Sequence, residues 1–318
     1  MAPPDRKHAA DYPPEVLELF DGYVHNAVSR RDFLTRAAKY AVGGVTALAM
    51  LDSLQPNFAW AEQVSKTDAR LDVGYVTYDS PAGSGTMRGY LARPAKAAKA
   101  APKAAAKAAK AARSKPVSAR LPGVLVIHEN RGLNPYIEDV ARRVALAGYV
   151  AFAPDALTPL GGYPGDEDKA RELFSQLDAA KRTEDMVAAA AYVKARPDVT
   201  AKIGAVGFCF GGGVCNMLAS RLPWLAAAAP FYGPGVSADE AKPIKAALQL
   251  HFAATDERVN AGWPAYETAL QAHRVRHEAF HYPGTQHGFH NDTTPRYDEA
   301  AAKLAWSRTL ALFARHLR

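Results

Sequence analysis

The chain has 318 residues, 48% of them hydrophobic and 22% charged, enough to bury one large core or two ordinary ones and too apolar for a disordered chain. Its formal charge of +7 invites an anionic partner, but the lysines concentrate in AKAAKAAPKAAAKAAKAARSK, residues 95–115, so the excess is local and no nucleic-acid surface is indicated. Two cysteines, Cys209 and Cys215, exclude a disulfide framework, and without a CxxC or a Cys/His cluster neither structural zinc nor thioredoxin-like chemistry is expected.

The N-terminus reads as an address. In SRRDFL, Ser29–Leu34, paired Arg30 and Arg31 precede Phe33 and Leu34, a moderately apolar run follows from Ala37 to Leu51, and AWA at 59–61 has the small-x-small pattern that a signal peptidase needs. This predicts a twin-arginine signal segment over 1–61, cleaved after Ala61, with the twin-arginine export machinery as partner and a periplasmic or secreted product. The competing reading takes residues 13–58 as amphipathic helices packed on the domain of a cytoplasmic protein, because Lys39 and the Gly43-Gly44 pair dilute the apolar run. That run is too short and too interrupted for a stable membrane span.

After this segment, LDVGYVTYDSPAGSGTMRGYLARP alternates strand-like residues about a Gly/Ser/Pro turn and predicts a hairpin over 71–93. The Ala/Lys stretch 95–118 lacks an apolar stripe and reads as a mobile surface insertion. From residue 121 the pattern becomes regular. Strand-like runs at LPGVLVIHE, VAFAPD, KIGAVGF, LAAAAPFYG, ALQLHFAATD and HEAFHYPG are interleaved with helical stretches at YIEDVARRVALAGY, 167–178, 180–196, after the triple glycine, 263–274 and 296–316. Apolar strands alternating with amphipathic helices predict an α/β domain over 62–318, a mostly parallel central sheet with helices on both faces. In such sheets the functional groups lie beyond the C-terminal ends of strands.

Cys209 stands at such an end, in GFCFGG, where a strand turns sharply into a helix. Flanking glycines remove the Cβ atoms that would block the turn, and the helix N-terminus stabilises a thiolate. Asp256 ends LQLHFAATD, and His287 follows the next strand in YPGTQHGF. Nucleophile, acid, histidine is the order of an α/β-hydrolase triad, in which the histidine takes the thiol proton and the aspartate fixes its tautomer. Taken singly, each has a plain alternative: a small buried hydrophobe for Cys209, a helix cap for Asp256, a hydrogen-bonded loop residue for His287. Glu129, in VIHENRGLN after the first long strand, is either structural or regulates the nucleophile, since a carboxylate near a thiol opposes its ionisation. Asn130 of the same loop and Phe210 are the candidate oxyanion-hole N–H donors. Arg131, Arg258 and His290 are candidate substrate contacts, with surface salt bridges the alternative for the arginines. Cys215 and His251 read as interior residues.

Together HENRGLNPYIEDVARRVA, APDAL, GFCFGGG, ATDERV and YPGTQHGF resemble the dienelactone hydrolase (carboxymethylenebutenolidase) family of α/β-hydrolases over roughly residues 70–318. The resemblance implies a Cys209/Asp256/His287 triad, and a Glu129 that holds the resting thiol protonated and swings away when substrate binds. It implies no metal or organic cofactor. A family arginine that binds the substrate carboxylate falls at Asn291 here, which puts dienelactone itself in doubt. The expected activity is cleavage of a small-molecule ester or lactone through an acyl-thioester. A fold that has kept its shape and lost turnover, or a thiol redox protein, are the competing classes.

Overall fold

The computed structural model describes residues 6–41, 44–60, 62–95 and 120–318. The Ala/Lys stretch beyond Ala95 and the expected cleavage point at Ala61 lie outside the described residues.

Three helices come first: α1 (Pro14–Val24), α2 (Arg30–Ala37) and α3 (Ala47–Leu54). Ser29 and Thr46 cap α2 and α3 by accepting from the N–H groups of Asp32 and Ala49, both at 3.1 Å. Their apolar faces form a small core of their own around Phe20, Phe33 and Leu51. Among the described residues of 13–58 these are the three α-helices, and their contacts with the sheet domain are described below.

The hairpin β1 (Leu71–Ser80) and β2 (Gly85–Pro94) is antiparallel, as its alternating pattern predicts. Next come β3 (Leu121–Ile127), α4 (Pro135–Leu146), β4 (Val150–Pro154), α5 (Glu167–Ser175) and α6 (Ala179–Ala195). They are followed by β5 (Val199–Phe208), α7 (Phe210–Arg221), β6 (Leu225–Phe231), α8 (Ala238–Ala241), β7 (Ala247–Ala253) and α9 (Glu257–Asn260). The chain ends with α10 (Trp263–Ala272), β8 (His277–Tyr282) and α11 (Glu299–Leu317). One eight-stranded sheet results, in the order β1-β2-β4-β3-β5-β6-β7-β8. Every neighbouring pair from β4 through β8 is parallel, and β2 joins β4 antiparallel.

The central strands are continuous apolar runs because both faces are covered. Helices α6, α7 and α10 pack on one face, around Leu125, Ile203 and Leu250, while α4 and α11 cover the other, around Val124, Val206 and Phe313. This is the α/β-hydrolase fold.

The turn from β5 into α7 is packed too tightly for side chains on its glycines. A Cβ on Gly207 would lie 2.1 Å from the Gly211 carbonyl oxygen, and one on Gly211 would lie 2.3 Å from that of Ile127. Gly211→Ala should therefore cost about 1–3 kcal/mol of unfolding free energy. Urea denaturation checks this; a midpoint equal to the parent's would show that the turn has slack.

Candidate active site

Cys209 occupies the tip of that turn with φ 55° and ψ −113°, a conformation that costs a non-glycine residue of order 1–3 kcal/mol. Its own N–H donates to Phe231 O at 3.0 Å, which ties the tip to the end of β6. The thiol is thereby presented above the sheet at the N-terminus of α7.

The two triad partners meet it there. Asp256 caps α9, accepting from Val259 N–H, and its Oδ2 lies 2.5 Å from His287 Nδ1. A carboxylate accepts only, so Nδ1 carries a proton and Nε2 is left for the thiol. Nε2 is buried without a hydrogen-bond partner. Burial opposes ionisation of Cys209, but the positive charge of His287 and the hydrogen bond with a second histidine, His25, bring its pKa well below the usual thiol value. Burial also opposes protonation of His287, yet the Cys209 charge and Asp256 push its pKa up to about 10. The two shifts are mutual, each charged form favouring the other, so a proton moves readily between the sulfur and His287.

Glu129 follows β3 and is buried beside them. Loss of water and then the Cys209 charge raise its carboxyl above the ordinary range. The hydrogen bond its side chain makes is with Asn291, whose Nδ2 donates to Oε2 at 2.8 Å. Asn291 thus acts on Glu129. Phe210 begins α7, so its N–H has no intrahelical acceptor and stands beside Cys209. Asn130 lies in the loop after β3, and its Nδ2 donates to Val24 O at 2.7 Å.

The three candidate substrate contacts part company. Arg131 is buried in an ion pair with Glu167, Nε to Oε2 2.9 Å, which is a structural bond but an interior one. His290 sits behind the turn, stacked on Phe208 with ring centroids 5.0 Å apart and its Nδ1 2.7 Å from Tyr136 Oη. Burial holds it neutral. Arg258 alone faces the thiol side, where it lines a cleft of about 700 Å³ with Asp256, His287, Asp21 and Arg296. Cys215 is interior, and burial pushes its thiol up. His251 is interior too, its Nδ1 2.8 Å from Tyr282 Oη.

Sequence reasoning missed Asp21, His25 and Arg296. His25 Nε2 lies 3.5 Å from Cys209 Sγ, and Arg296 Nη1 lies 3.4 Å from Asp21 Oδ1. The signal was present in DGYVH, an acid and a histidine four apart on a helix. Ligand atoms of His25, Cys209 and His287 fall within 4.8 Å of one another, a set suited to a soft metal ion. The Arg258 guanidinium, 3.0 Å from His25 Nε2, opposes a dication there.

Helices α1 and α2 are bonded to the body at several points around this site. Tyr23 Oη donates to Asp168 Oδ1 at 2.5 Å, Arg30 Nη1 to Asp168 Oδ2 at 2.7 Å, and Arg171 Nη1 to Tyr23 O at 2.5 Å. Arg30, the first of the paired arginines, is thus engaged with the sheet domain. No helix among the described residues is long and apolar enough to cross a membrane.

An α/β-hydrolase sheet with a cysteine at the sharp strand-to-helix turn after β5 and an Asp–His pair after β7 and β8 defines a hydrolase class. Residues 108–317 match the family model described as the dienelactone hydrolase family, and the chain belongs to that family. Residues 3–39 match a separate model described as YqhI-like. The hydrolase fragment YghX of Escherichia coli K12 is 52% identical over 134 residues, 42% of this chain and 97% of that one. A Synechocystis protein described as a carboxymethylenebutenolidase is 35% identical over 229 residues, 64% of this chain and 91% of its own. The crystal structure of a Klebsiella pneumoniae protein described as a dienelactone hydrolase superposes with a TM-score of 0.62 at 27% identity, covering 77% of this chain and all of that one. The protein is accordingly a carboxylic ester hydrolase.

Asp168 accepts hydrogen bonds from both Tyr23 and Arg30, so Asp168→Ala should weaken the docking of the N-terminal helices by about 1–3 kcal/mol. Brief trypsin treatment should then release them faster while the sheet domain melts at the parent temperature. Equal cleavage rates would show that the apolar contacts alone hold the segment.

Proposed function

We propose that the protein hydrolyses a small-molecule ester or lactone with Cys209 as nucleophile, through an acyl-thioester. The observation that carries this reading is that Cys209 and the Asp256–His287 pair, whose Oδ2 and Nδ1 are 2.5 Å apart, stand at the ends of β5, β7 and β8 in one parallel array, with the sulfur and a His287 ring nitrogen within 4.8 Å. The thiol gives its proton to His287 Nε2. The thiolate attacks the carbonyl carbon, a C–S bond forms, and the carbonyl π pair moves onto oxygen, towards the N–H groups of Phe210 and Asn130. Collapse breaks the C–O bond, and the leaving oxygen takes the proton from His287. Water then gives a proton to His287 and attacks the thioester, the C–S bond breaks, and the thiolate returns.

A thiolate is expelled from a tetrahedral intermediate more readily than an alkoxide. The reaction therefore favours enol or phenol leaving groups, and simple alkyl esters should turn over poorly. Arg258 and Arg296 at the cleft support a substrate that carries an anionic group. Residues 1–61 support two histories. The paired arginines favour passage through the twin-arginine machinery to the periplasm, and the packing of α1–α3 on the body favours retention. The N-terminal residue of the protein recovered from a host with that pathway intact distinguishes them.

The reactive pair needs sulfur ionised and His287 protonated. Its population rises above the lowered thiol pKa and is lost as pH climbs through about 10, where His287 gives up its proton. With an activated aryl ester, kcat/KM should show that alkaline fall, and Cys209→Ala should lose about 10³-fold or more. A variant as active as the parent overturns the reading.

A further inference from the structure

Helix α1 brings two groups to the thiol that the triad does not use. Asp21 and His25 stand one turn apart, with Asp21 Oδ1 3.4 Å from His25 Nδ1. Nδ1 also lies 2.8 Å from the Asp21 carbonyl oxygen, which can only accept, so Nδ1 carries the proton and Nε2 presents its lone pair. That lone pair faces Cys209 Sγ at 3.5 Å and Arg258 Nη2 at 3.0 Å. The arrangement repeats the Asp256–His287 pair with a second acid and imidazole at the same sulfur, and the two imidazole rings meet edge to face, 4.7 Å between centroids.

On the reading of Cys209 as the nucleophile, we propose that His25 is a second imidazole base on this thiol, positioned by Asp21, and that the N-terminal helices are part of the active site. In the step assigned to it, the S–H bond breaks, an N–H bond forms at His25 Nε2, and the electron pair stays on sulfur. Asp21 meets the new imidazolium charge. Arg258, displaced from the lone pair, has Asp21 Oδ2 3.8 Å from its Nε to turn to. The proton then passes to His287, the N–H bond at His25 breaking as one forms at His287 Nε2, and from there to the leaving oxygen, which leaves both imidazoles neutral and His287 able to accept the proton of water. Two imidazoles sharing one proton thus keep an acid and a base at the same sulfur.

The surroundings agree. Burial disfavours the His25 imidazolium, but the hydrogen bonds with Asp21 and Cys209 raise its pKa above the ordinary value. Asp21 is held well below the carboxylate range in spite of its burial, by the hydrogen bond with His25 and the charges of His287, His25 and Arg296. The other charged or titratable groups facing the sulfur are Glu129 after β3, Tyr232 after β6, and Arg258 and His287 after β7 and β8. Of the imidazoles here, only His25 comes from outside the sheet domain. The stretch that carries it, residues 3–39, has a family model of its own. A chain cut after Ala61 would lose both His25 and Asp21.

The test is alkylation of Cys209 by iodoacetamide across pH in the full-length parent, His25→Gln and Asp21→Asn, with aryl-ester turnover measured alongside. The expected result is a His25→Gln profile moved up by about one pH unit, hence about tenfold slower alkylation at a fixed pH below the midpoint, with slower turnover. Asp21→Asn should move the profile in the same direction by less, and it carries the measurement if circular dichroism shows that His25→Gln does not fold. Superimposable profiles overturn the inference. So does alkylation that speeds up at every pH with an unmoved midpoint, since that identifies the segment as a cover only. Failure of the nucleophile reading is separate: it shows in the parent, as ester turnover that full alkylation of Cys209 leaves unchanged.

Discussion

The backbone at Cys209 can stand at φ 55° only because Gly207 and Gly211 let the β5–α7 turn press against itself and against the end of β3. That unfavourable conformation is held by the Cys209 N–H bond to Phe231 O and by the start of α7 immediately after it. Everything chemical in the molecule is arranged about the sulfur so presented. The parallel order β3-β5-β6-β7-β8 then sets Glu129, Tyr232, Asp256 and His287 on successive loops at the same edge. A triad drawn from residues 209, 256 and 287 needs no other device to converge.

The electrostatics follow from the burial. A thiol, two imidazoles and three carboxylates are gathered largely out of water within a small volume, where an unpaired charge is costly and a paired one is strongly stabilised. The pairs sort themselves by contact. His287 is claimed by Asp256, His25 by Asp21, and the sulfur is shared between the imidazoles. Glu129 is the carboxylate without a cationic hydrogen-bond partner among the described residues. An amide, Asn291, holds it, and its acid stays closer to neutral. The amide of Asn291 therefore bears on the carboxylate beside Cys209.

Much of this was legible in the sequence. The apolar runs 121–127 and 225–231 read as buried strands because strands covered on both faces carry little polar residue. The glycines around Cys209 marked the turn. Asp256 and His287 could be singled out because each follows such a strand, and their side chains meet in the structure. The interior placing of Arg131 and His290 could not be read from position alone. Their partners, Glu167 and Tyr136, lie far away in sequence and are brought close only by packing. The partner of Arg30 was hidden for the same reason. A pair of arginines before an apolar run matches an export motif, but it also describes an amphipathic helix whose Arg30 pairs with Asp168, 138 residues further on. Only tertiary contacts show that His25 reaches the sulfur.

The central claim is that a carbonyl carbon becomes bonded to Cys209. Rapid quenching of the full-length enzyme with an activated aryl ester, followed by mass spectrometry of the peptide containing residue 209, tests it most directly. The account predicts a single acyl adduct on Cys209 that forms before the first turnover is complete and decays at the turnover rate. Continued turnover with the Cys209 peptide unmodified, or with the acyl group on another residue, would contradict it.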